Sequence, residues 1–226
     1  PDGKSVMYDD FNLRDPMPFV VWGGDSLYRM LKTGHVRPAL LGFALGTLSV
    51  AAYAEPMTYQ IDASHTYPSF EVDHQGGLSL WRGKFNSTSG TITMDQEAMT
   101  GSVDIEIDLT SIDFGHDGLN GHVMGSDPGM INTAENPTAT YTGRLTDWEN
   151  GAPTMVEGEL TLLGNTHPVN LDIVMFKCQE GRGGGQTCGA DAVGEFDRAD
   201  FGVDFGQSFG FDMGVTLRIQ VEAGSS

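Results

Sequence analysis

Over most of its length the chain alternates apolar and polar residues with a period of two. In the clearest window, residues 103–109 (VDIEIDL), four apolar side chains share one face and three carboxylates share the other. This pattern is typical of an antiparallel strand with one buried and one solvated face. The windows 169–175 and 215–221 repeat it, and 156–162 repeats it more loosely.

Eight segments have strand character, and turns rich in glycine, asparagine and proline separate them. They cover residues 67–74, 79–94, 102–112, 138–147, 154–162, 168–177, 189–197 and 211–222. Consecutive hairpins of this kind can close into an eight-stranded antiparallel barrel, which removes the exposed sheet edges and can hold one elongated ligand. We therefore predict an all-β barrel. A two-sheet sandwich is the alternative, because the periodicity shows which face is buried and not whether the sheet closes.

The segment 113–137 breaks the alternation and is dense in Gly, Asn and Asp. A structureless loop of that length in a compact domain is usually functional or contains local helix. We predict a short helical turn around residues 119–125 and a cap over one end of the barrel.

Residues 30–54 contain the three parts of a secretory signal peptide. Lys32 and Arg37 supply the positive end, residues 39–51 form a mostly apolar stretch of 13 residues, and Ala-Tyr-Ala at 52–54 is a cleavage motif. A membrane-spanning helix needs about 20 residues, so a permanent anchor is the weaker alternative. We predict export to the periplasm and no stable membrane anchor after cleavage.

Cleavage is predicted before Glu55, which leaves residues 55–226 as a single mature domain. Residues 1–29 precede a complete signal that has its own Met30, so they are interpreted as an upstream extension outside the native protein. We assign them no function.

Composition narrows the choice of partners. The chain has 31 acidic and 12 basic residues and a formal charge of −19. Binding to nucleic acid or to anionic lipid headgroups requires Lys and Arg to neutralise phosphate, so this acidic surface argues against such partners. Cys178 and Cys188 flank a glycine-rich loop and are predicted to form a structural disulfide. A redox or zinc role is disfavoured because there is no C-x-x-C motif.

The region 57–222 resembles the YceI-like family of exported proteins. The likeness is spread over many motifs, of which the most specific are GELTLLGNTHPV at 158–169 and DRADFG at 197–202. Others are YQID at 59–62, FEVDH at 70–74, RGKF at 82–85, GTI at 90–92, SID at 111–113 and NPTATY at 136–141. The connector departs from the family pattern at Gly118, Val123 and Met124, and Met130 and Ile131 lie where an aromatic pair is common.

The resemblance implies an extended, lipocalin-like barrel in the periplasm that binds a polyisoprenoid chain, such as a quinone tail or a polyprenyl lipid. It implies binding without turnover, so we predict no enzymatic activity and no cofactor other than the bound lipid. From the pattern alone, the inward side chains could equally fill a solid core. The resemblance favours a pocket, whose predicted lining is Phe70, Val72, His74, Phe85, Ile105, Ile107, Leu109, Tyr141, Leu160, Leu162, Leu171, Ile173, Met175, Leu217 and Ile219.

A redox accessory or metal-dependent enzyme acting on a quinone-like lipid is the alternative function. The histidines have no H-x-E or H-E-x-x-H spacing, so hydrogen-bonded or surface roles are expected, with His74 as a candidate contact for a ligand headgroup. Arg198 is predicted to pair with a neighbouring carboxylate. Contact with a pyrophosphate would require Arg198 to point inward, near the mouth that segment 113–137 covers. The sequence leaves open whether two barrels pair as a homodimer.

Overall fold

The computed structural model of the protein describes residues 55–225, which fold into a twelve-stranded sheet with one short α-helix. The signal peptide and upstream extension predicted for residues 1–54 lie outside the described residues. The elements are β1 (Met57–Ile61), β2 (Tyr67–His74), β3 (Ser79–Phe85), β4 (Thr88–Asp95), β5 (Thr100–Asp108), β6 (Ile112–Asp113), α1 (Asp117–Met124), β7 (Thr138–Glu149), β8 (Ala152–Leu162), β9 (Asn165–Pro168), β10 (Leu171–Glu180), β11 (Gln186–Asp197) and β12 (Gly214–Gly224).

The sheet closes on itself as an antiparallel barrel. Eight strands form the ring in the order β1-β4-β5-β7-β8-β10-β11-β12, and β1 completes it by pairing with β12 at Ile61 and Ala223. Strands β2, β3 and β6 continue the wall along β12 beyond the end of β1. Closure confirms the predicted barrel over the sandwich, because the hydrogen-bonded ladder has no break between two sheets.

Three predicted strands are divided in the structure by local hydrogen bonds. The segment 79–94 breaks between β3 and β4, where the backbone N–H of Asn86 donates to Ser111 O at 3.1 Å. The segment 102–112 breaks after Asp108, whose carboxylate caps a 3-10 turn by accepting the N–H of Thr110. The segment 168–177 breaks between β9 and β10, where the N–H of Val169 donates to Gly158 O at 2.8 Å. The closed ring still has eight strands, but it contains β1, which is not among the predicted segments, and not the predicted segment 67–74, which forms β2.

Strand β10 contains a β-bulge that reverses its alternation. Ile173 lies opposite Ala192, whereas Met175 lies opposite Asp191, so β10 has one extra residue between the two pairs. After the bulge Met175 is 48% exposed, and Phe176 packs against the core instead. The prediction that Met175 faces the interior is therefore wrong, because strict alternation does not continue through a bulge.

Helix α1 confirms the short helical segment predicted in the long connector. His116 caps it by accepting the N–H of Leu119 on Nδ1 at 3.1 Å. The following segment folds back on the helix, since the N–H of Ile131 donates to Val123 O at 3.1 Å. Ile131 is only 6% exposed. Within residues 55–225, no helix is long and apolar enough to cross a membrane.

The two ends of the barrel differ in how they are covered. At one end, which we call the sealed end, the inward side chains of the strands meet and are buried: Tyr59, Met94, Leu145, Pro153, Cys188 and Ala223. The tight turns β4–β5 and β7–β8 are joined there by a hydrogen bond from Gln96 Nε2 to Gly151 O at 3.0 Å. At the other end, which we call the capped end, the cover consists of the connectors 114–137 and 198–213.

Candidate ligand cavity

The barrel encloses an elongated cavity of about 490 Å³. On β12 its lining runs from Val215 through every second residue to Ala223, which corresponds to about 27 Å at a rise of ~3.4 Å per residue. A cavity of this volume spread over that length is long and narrow. The arrangement answers the question that the pattern left open, since the inward side chains line a cavity and do not fill the barrel.

Nearly all of the side chains predicted from inward parity line this cavity. They are Phe70, Val72, His74, Phe85, Ile105, Ile107, Leu109, Tyr141, Leu160, Leu162, Leu171, Ile173, Leu217 and Ile219. Met175 is the exception, and Phe176 lines the cavity on the same strand. Contact between these residues and a lipid stays a prediction.

Two tyrosines contribute apolar surface to the wall because their hydroxyls are bonded to the protein. Tyr141 donates to Val169 O at 2.8 Å, and burial raises the pKa of its phenol above the ordinary value. Its ring lies against Gly158, where a Cβ would collide with the phenol oxygen. At the sealed end Tyr59 donates to Gln186 Oε1. The middle and the sealed end of the cavity therefore present mostly carbon atoms.

The capped end is lined by an aromatic collar whose rings come from three parts of the chain. The His74 ring packs on Trp81 and on Phe211, with centroids 4.8 and 5.8 Å away. The His122 ring of α1 meets Phe205 edge-on at 5.2 Å. The collar joins the β2–β3 hairpin, the helix and the connector 198–213 around one opening.

The charged and imidazole side chains in the lining all lie at this capped end: Asp73, His74, His122 and Arg198. Asp73 fastens the β2–β3 hairpin to the connector 198–213, because its Oδ2 accepts the N–H of Asp212 at 3.0 Å and that of Gly76 at 2.9 Å. These hydrogen bonds, led by that from Asp212, hold the pKa of Asp73 below its ordinary value.

Arg198 points its guanidinium to backbone carbonyls. Nη2 donates to Phe205 O at 2.9 Å, and Nη1 donates to Val203 O. Within the described part of the chain no carboxylate oxygen lies within 4.0 Å of it. The predicted ion pair is therefore wrong: the tight turn after β11 brings carbonyls, and not carboxylates, to the guanidinium. Burial lowers the pKa of Arg198, and nearby carboxylates oppose that shift.

The remaining histidines have local structural roles. His65 is exposed and its Nδ1 lies 2.8 Å from Asp62 Oδ2, while the ring of His167 packs edge-on against Phe201 at 5.0 Å. Across residues 55–225 no three His, Cys, Asp or Glu side chains are grouped so that they could hold a metal ion.

The predicted disulfide is confirmed. Cys178 and Cys188 lie directly opposite each other on β10 and β11, with Cα atoms 4.0 Å apart. Cys188 also lines the cavity at the sealed end. The bridge therefore fixes the β10–β11 hairpin beside the ligand wall.

Sequence reasoning did not find the cavity residues that come from the connectors. Leu119 and Val123 of α1, together with Met130, Phe205 and Phe211, line the capped end. They follow no period of two, because the segments that carry them are not strands. The available signal was the presence of large apolar residues in segments otherwise dense in Gly, Asn and Asp.

Comparison with known proteins gives one family. The YceI-like domain model matches residues 59–223. Protein YceI of Escherichia coli O6:H1 is 30% identical over 172 residues, which cover 74% of this chain and 88% of that protein. Protein YceI of Salmonella arizonae is 30% identical over 168 residues, which cover 73% of this chain and 86% of that protein.

Solved structures share the fold. BcnA of Burkholderia cenocepacia has a TM-score of 0.56 at 23% identity, over 72% of this chain and 99% of BcnA. A polyisoprenoid binding domain from Saccharophagus degradans, implicated in plant cell wall breakdown, has a TM-score of 0.54 at 17% identity, over 75% of this chain and 99% of that domain. At these identities the likeness shows the barrel architecture.

Proposed function

The chain belongs to the YceI-like family, and from this premise we propose that it binds a long isoprenoid chain inside the barrel and carries it in the periplasm without chemical turnover. The observation that carries the proposal is the cavity itself, which is long, narrow and apolar over most of its length. A structural neighbour of the same fold is described as a polyisoprenoid binding domain, which supports the same ligand class.

The energetics favour an apolar chain in such a cavity. Each buried CH₂ contributes about 0.8 kcal/mol, so three isoprene units contribute on the order of 10 kcal/mol before the cost of ordering a flexible chain is subtracted. The wall offers few polar groups that would have to be desolvated, since the hydroxyls of Tyr59 and Tyr141 are already bonded. We expect the number of isoprene units to be weakly specified.

A charge placed on the cavity wall tests the proposal. Ile107 lines the cavity, and Ile107→Asp should lower the affinity for a prenyl chain by 100-fold or more, because the chain would have to desolvate a carboxylate. Val174→Asp is the matched control, since Val174 is 63% exposed on the outer wall. Affinity is measured by competition against a fluorescent apolar probe, with circular dichroism to confirm that both variants fold.

Two results would contradict the proposal. The first is prenyl binding that survives Ile107→Asp on a folded barrel. The second is the absence of any stoichiometric lipid when purified protein is extracted with organic solvent and analysed by mass spectrometry. Finding a prenyl chain in the extract of wild type and of Val174→Asp, but not of Ile107→Asp, is the expected outcome.

Export is the second part of the proposal and rests on the signal pattern of residues 30–54. N-terminal sequencing of the protein recovered from the periplasmic fraction should begin at Glu55. A mature protein that keeps Met30 would contradict it. Absence of turnover is tested separately, by recovering the bound lipid chemically unchanged after prolonged incubation.

A further inference from the structure

The polar groups at the capped end point to the kind of headgroup that the cavity takes. This inference rests on the proposed isoprenoid binding. The apolar chain fills the long part of the cavity, so its headgroup must lie where the lining becomes polar. The charged and imidazole side chains of the lining are Asp73, His74, His122 and Arg198, all at the capped end.

Arg198 is the strongest hydrogen-bond donor in that group. A guanidinium has five N–H groups, and two protein acceptors, the carbonyls of Val203 and Phe205, are bonded to it. Neither acceptor is charged, and no carboxylate lies within 4.0 Å in the described part of the chain. Some N–H groups of Arg198 therefore remain available to donate to an acceptor on a ligand.

The wider surroundings of Arg198 are acidic. The carboxylates of Asp197, Asp204, Asp73 and Asp212 are close enough for their charges to act on the guanidinium, and they outnumber it. Four carboxylates therefore surround one guanidinium, and one of them, Asp73, lines the same end of the cavity as Arg198. A phosphate or pyrophosphate would gain one charge-assisted contact with Arg198 and would be repelled by the carboxylates around it.

We propose that the capped end is a headgroup site in which Arg198 donates to a neutral oxygen acceptor, such as a quinone carbonyl or an alcohol, and from which phosphate-bearing isoprenoids are excluded. A neutral acceptor gains the hydrogen bond without the repulsion. The aromatic side chains of Trp81 and Phe211 at the same opening offer flat apolar surfaces beside a ring-shaped headgroup. The site thus discriminates between isoprenoids by the charge of the headgroup, whereas the cavity accepts the shared tail.

The test compares three ligands with a common tetraprenyl tail: geranylgeraniol, a menaquinone with four isoprene units and geranylgeranyl phosphate. Phytane, the saturated hydrocarbon with the same branched carbon skeleton and no headgroup, is the reference. In competition binding with wild type, the alcohol and the quinone should bind at least about tenfold more tightly than the phosphate. The alcohol and quinone arms show which neutral acceptor is preferred. Equal or tighter binding of the phosphate would overturn the inference, whereas failure of all four ligands, phytane included, would instead overturn isoprenoid binding.

Two variants locate the effect. Arg198→Met should lower the affinity for the quinone and for the alcohol by about tenfold, because a hydrogen bond from a charged donor is lost. The affinity for phytane should stay unchanged. Arg144→Met is the matched control, since Arg144 is 74% exposed and pairs with Glu157 outside the cavity. Unchanged quinone and alcohol affinity in Arg198→Met would overturn the role of Arg198.

Arg198 also holds two loop carbonyls, so a second variant avoids disturbing the fold. Asp204→Asn keeps the shape of an exposed side chain and removes one of the acidic charges near Arg198. It should raise the affinity for geranylgeranyl phosphate several-fold and leave the affinity for geranylgeraniol unchanged. If phosphate affinity does not rise, the carboxylates do not set headgroup selection and the inference is wrong.

Discussion

The sealed and capped ends of this barrel are built from the same chain by different means. At the sealed end, strands joined by tight turns bring Tyr59, Met94 and Leu145 together, and each is at most 7% exposed. At the capped end, the cover is two connectors that bury side chains such as Ile131 and Phe201 but are not part of the strand ladder of the ring. Hydrogen bonds between loops and contacts between rings attach them, such as Asp73 with Asp212 and His122 with Phe205. A continuous strand ladder resists local opening better than contacts between loops.

The difference between the two ends indicates which end stabilises the fold and at which end a ligand can be exchanged. Packing at the sealed end contributes to the global free energy of unfolding, because opening it requires breaking the ladder of β1 with β4 and β12. The capped end can open without breaking a strand of the ring. We therefore expect the ligand to enter and leave at the capped end, beside the charged side chains.

The largest effect should come from truncating one leucine at each end. Leu145→Ala at the sealed end should lower the free energy of unfolding by about 3 kcal/mol, because it removes a buried side chain from a packed region. Leu119→Ala at the capped end should cost less than about 1 kcal/mol, since Leu119 is only partly buried and lies outside the buried core. Urea unfolding of both variants measures the difference. Equal losses of the free energy of unfolding would show that the two ends contribute equally to stability.

The disulfide should give the next largest effect. Cys178 and Cys188 are 10 residues apart in sequence, so replacing both with Ala should lower stability by about 2 to 3 kcal/mol through the greater entropy of the unfolded chain. Thermal unfolding with and without reductant provides the control. Reductant should lower the melting temperature of wild type and leave that of the double variant unchanged. If complete reduction leaves the melting temperature of wild type unchanged, the disulfide does not stabilise the protein.

The same contrast explains what the sequence could predict. Alternation placed Ile105, Ile107 and Leu217 on the cavity wall, because along a regular strand the period alone decides which face a side chain occupies. It failed at Met175, where a bulge adds one residue inside the run of four apolar residues 173–176, in which the period cannot show which side chains face inward. A bulge depends on how neighbouring strands pair, and pairing is not visible in a single segment.

The capped end was predictable only in outline. A long connector that breaks the alternation indicated a cap with a short helix, and α1 confirms it. The residues that the cap brings to the cavity, Phe205 and Phe211 among them, could not be chosen in advance, because loops have no fixed period. The partners of Arg198 were missed for the same reason: turn geometry, and not sequence distance, decides that carbonyls reach it.

The smallest effect is expected from acid, and it should separate the two ends by pH. Hydrogen bonds from backbone N–H groups hold the pKa of Asp73 below its ordinary value of 3.8. The stabilisation they give is therefore fully present above that value and is lost as the pH falls through the lower pKa of the folded state. Protonated Asp73 loses strength as an acceptor for Asp212, so the capped end should loosen first.

Two tryptophans report on this directly, since Trp81 lies at the capped end and Trp148 packs near the sealed end. In proteins in which Trp22 and one of these two are replaced by Phe, the emission of Trp81 should change at a higher pH than that of Trp148 during titration from about pH 5 to pH 2. Asp73→Asn should abolish the early step of Trp81 without moving the transition of Trp148. Simultaneous transitions of both tryptophans would mean that acid unfolds the barrel as one unit and that the capped end has no separate, acid-sensitive attachment.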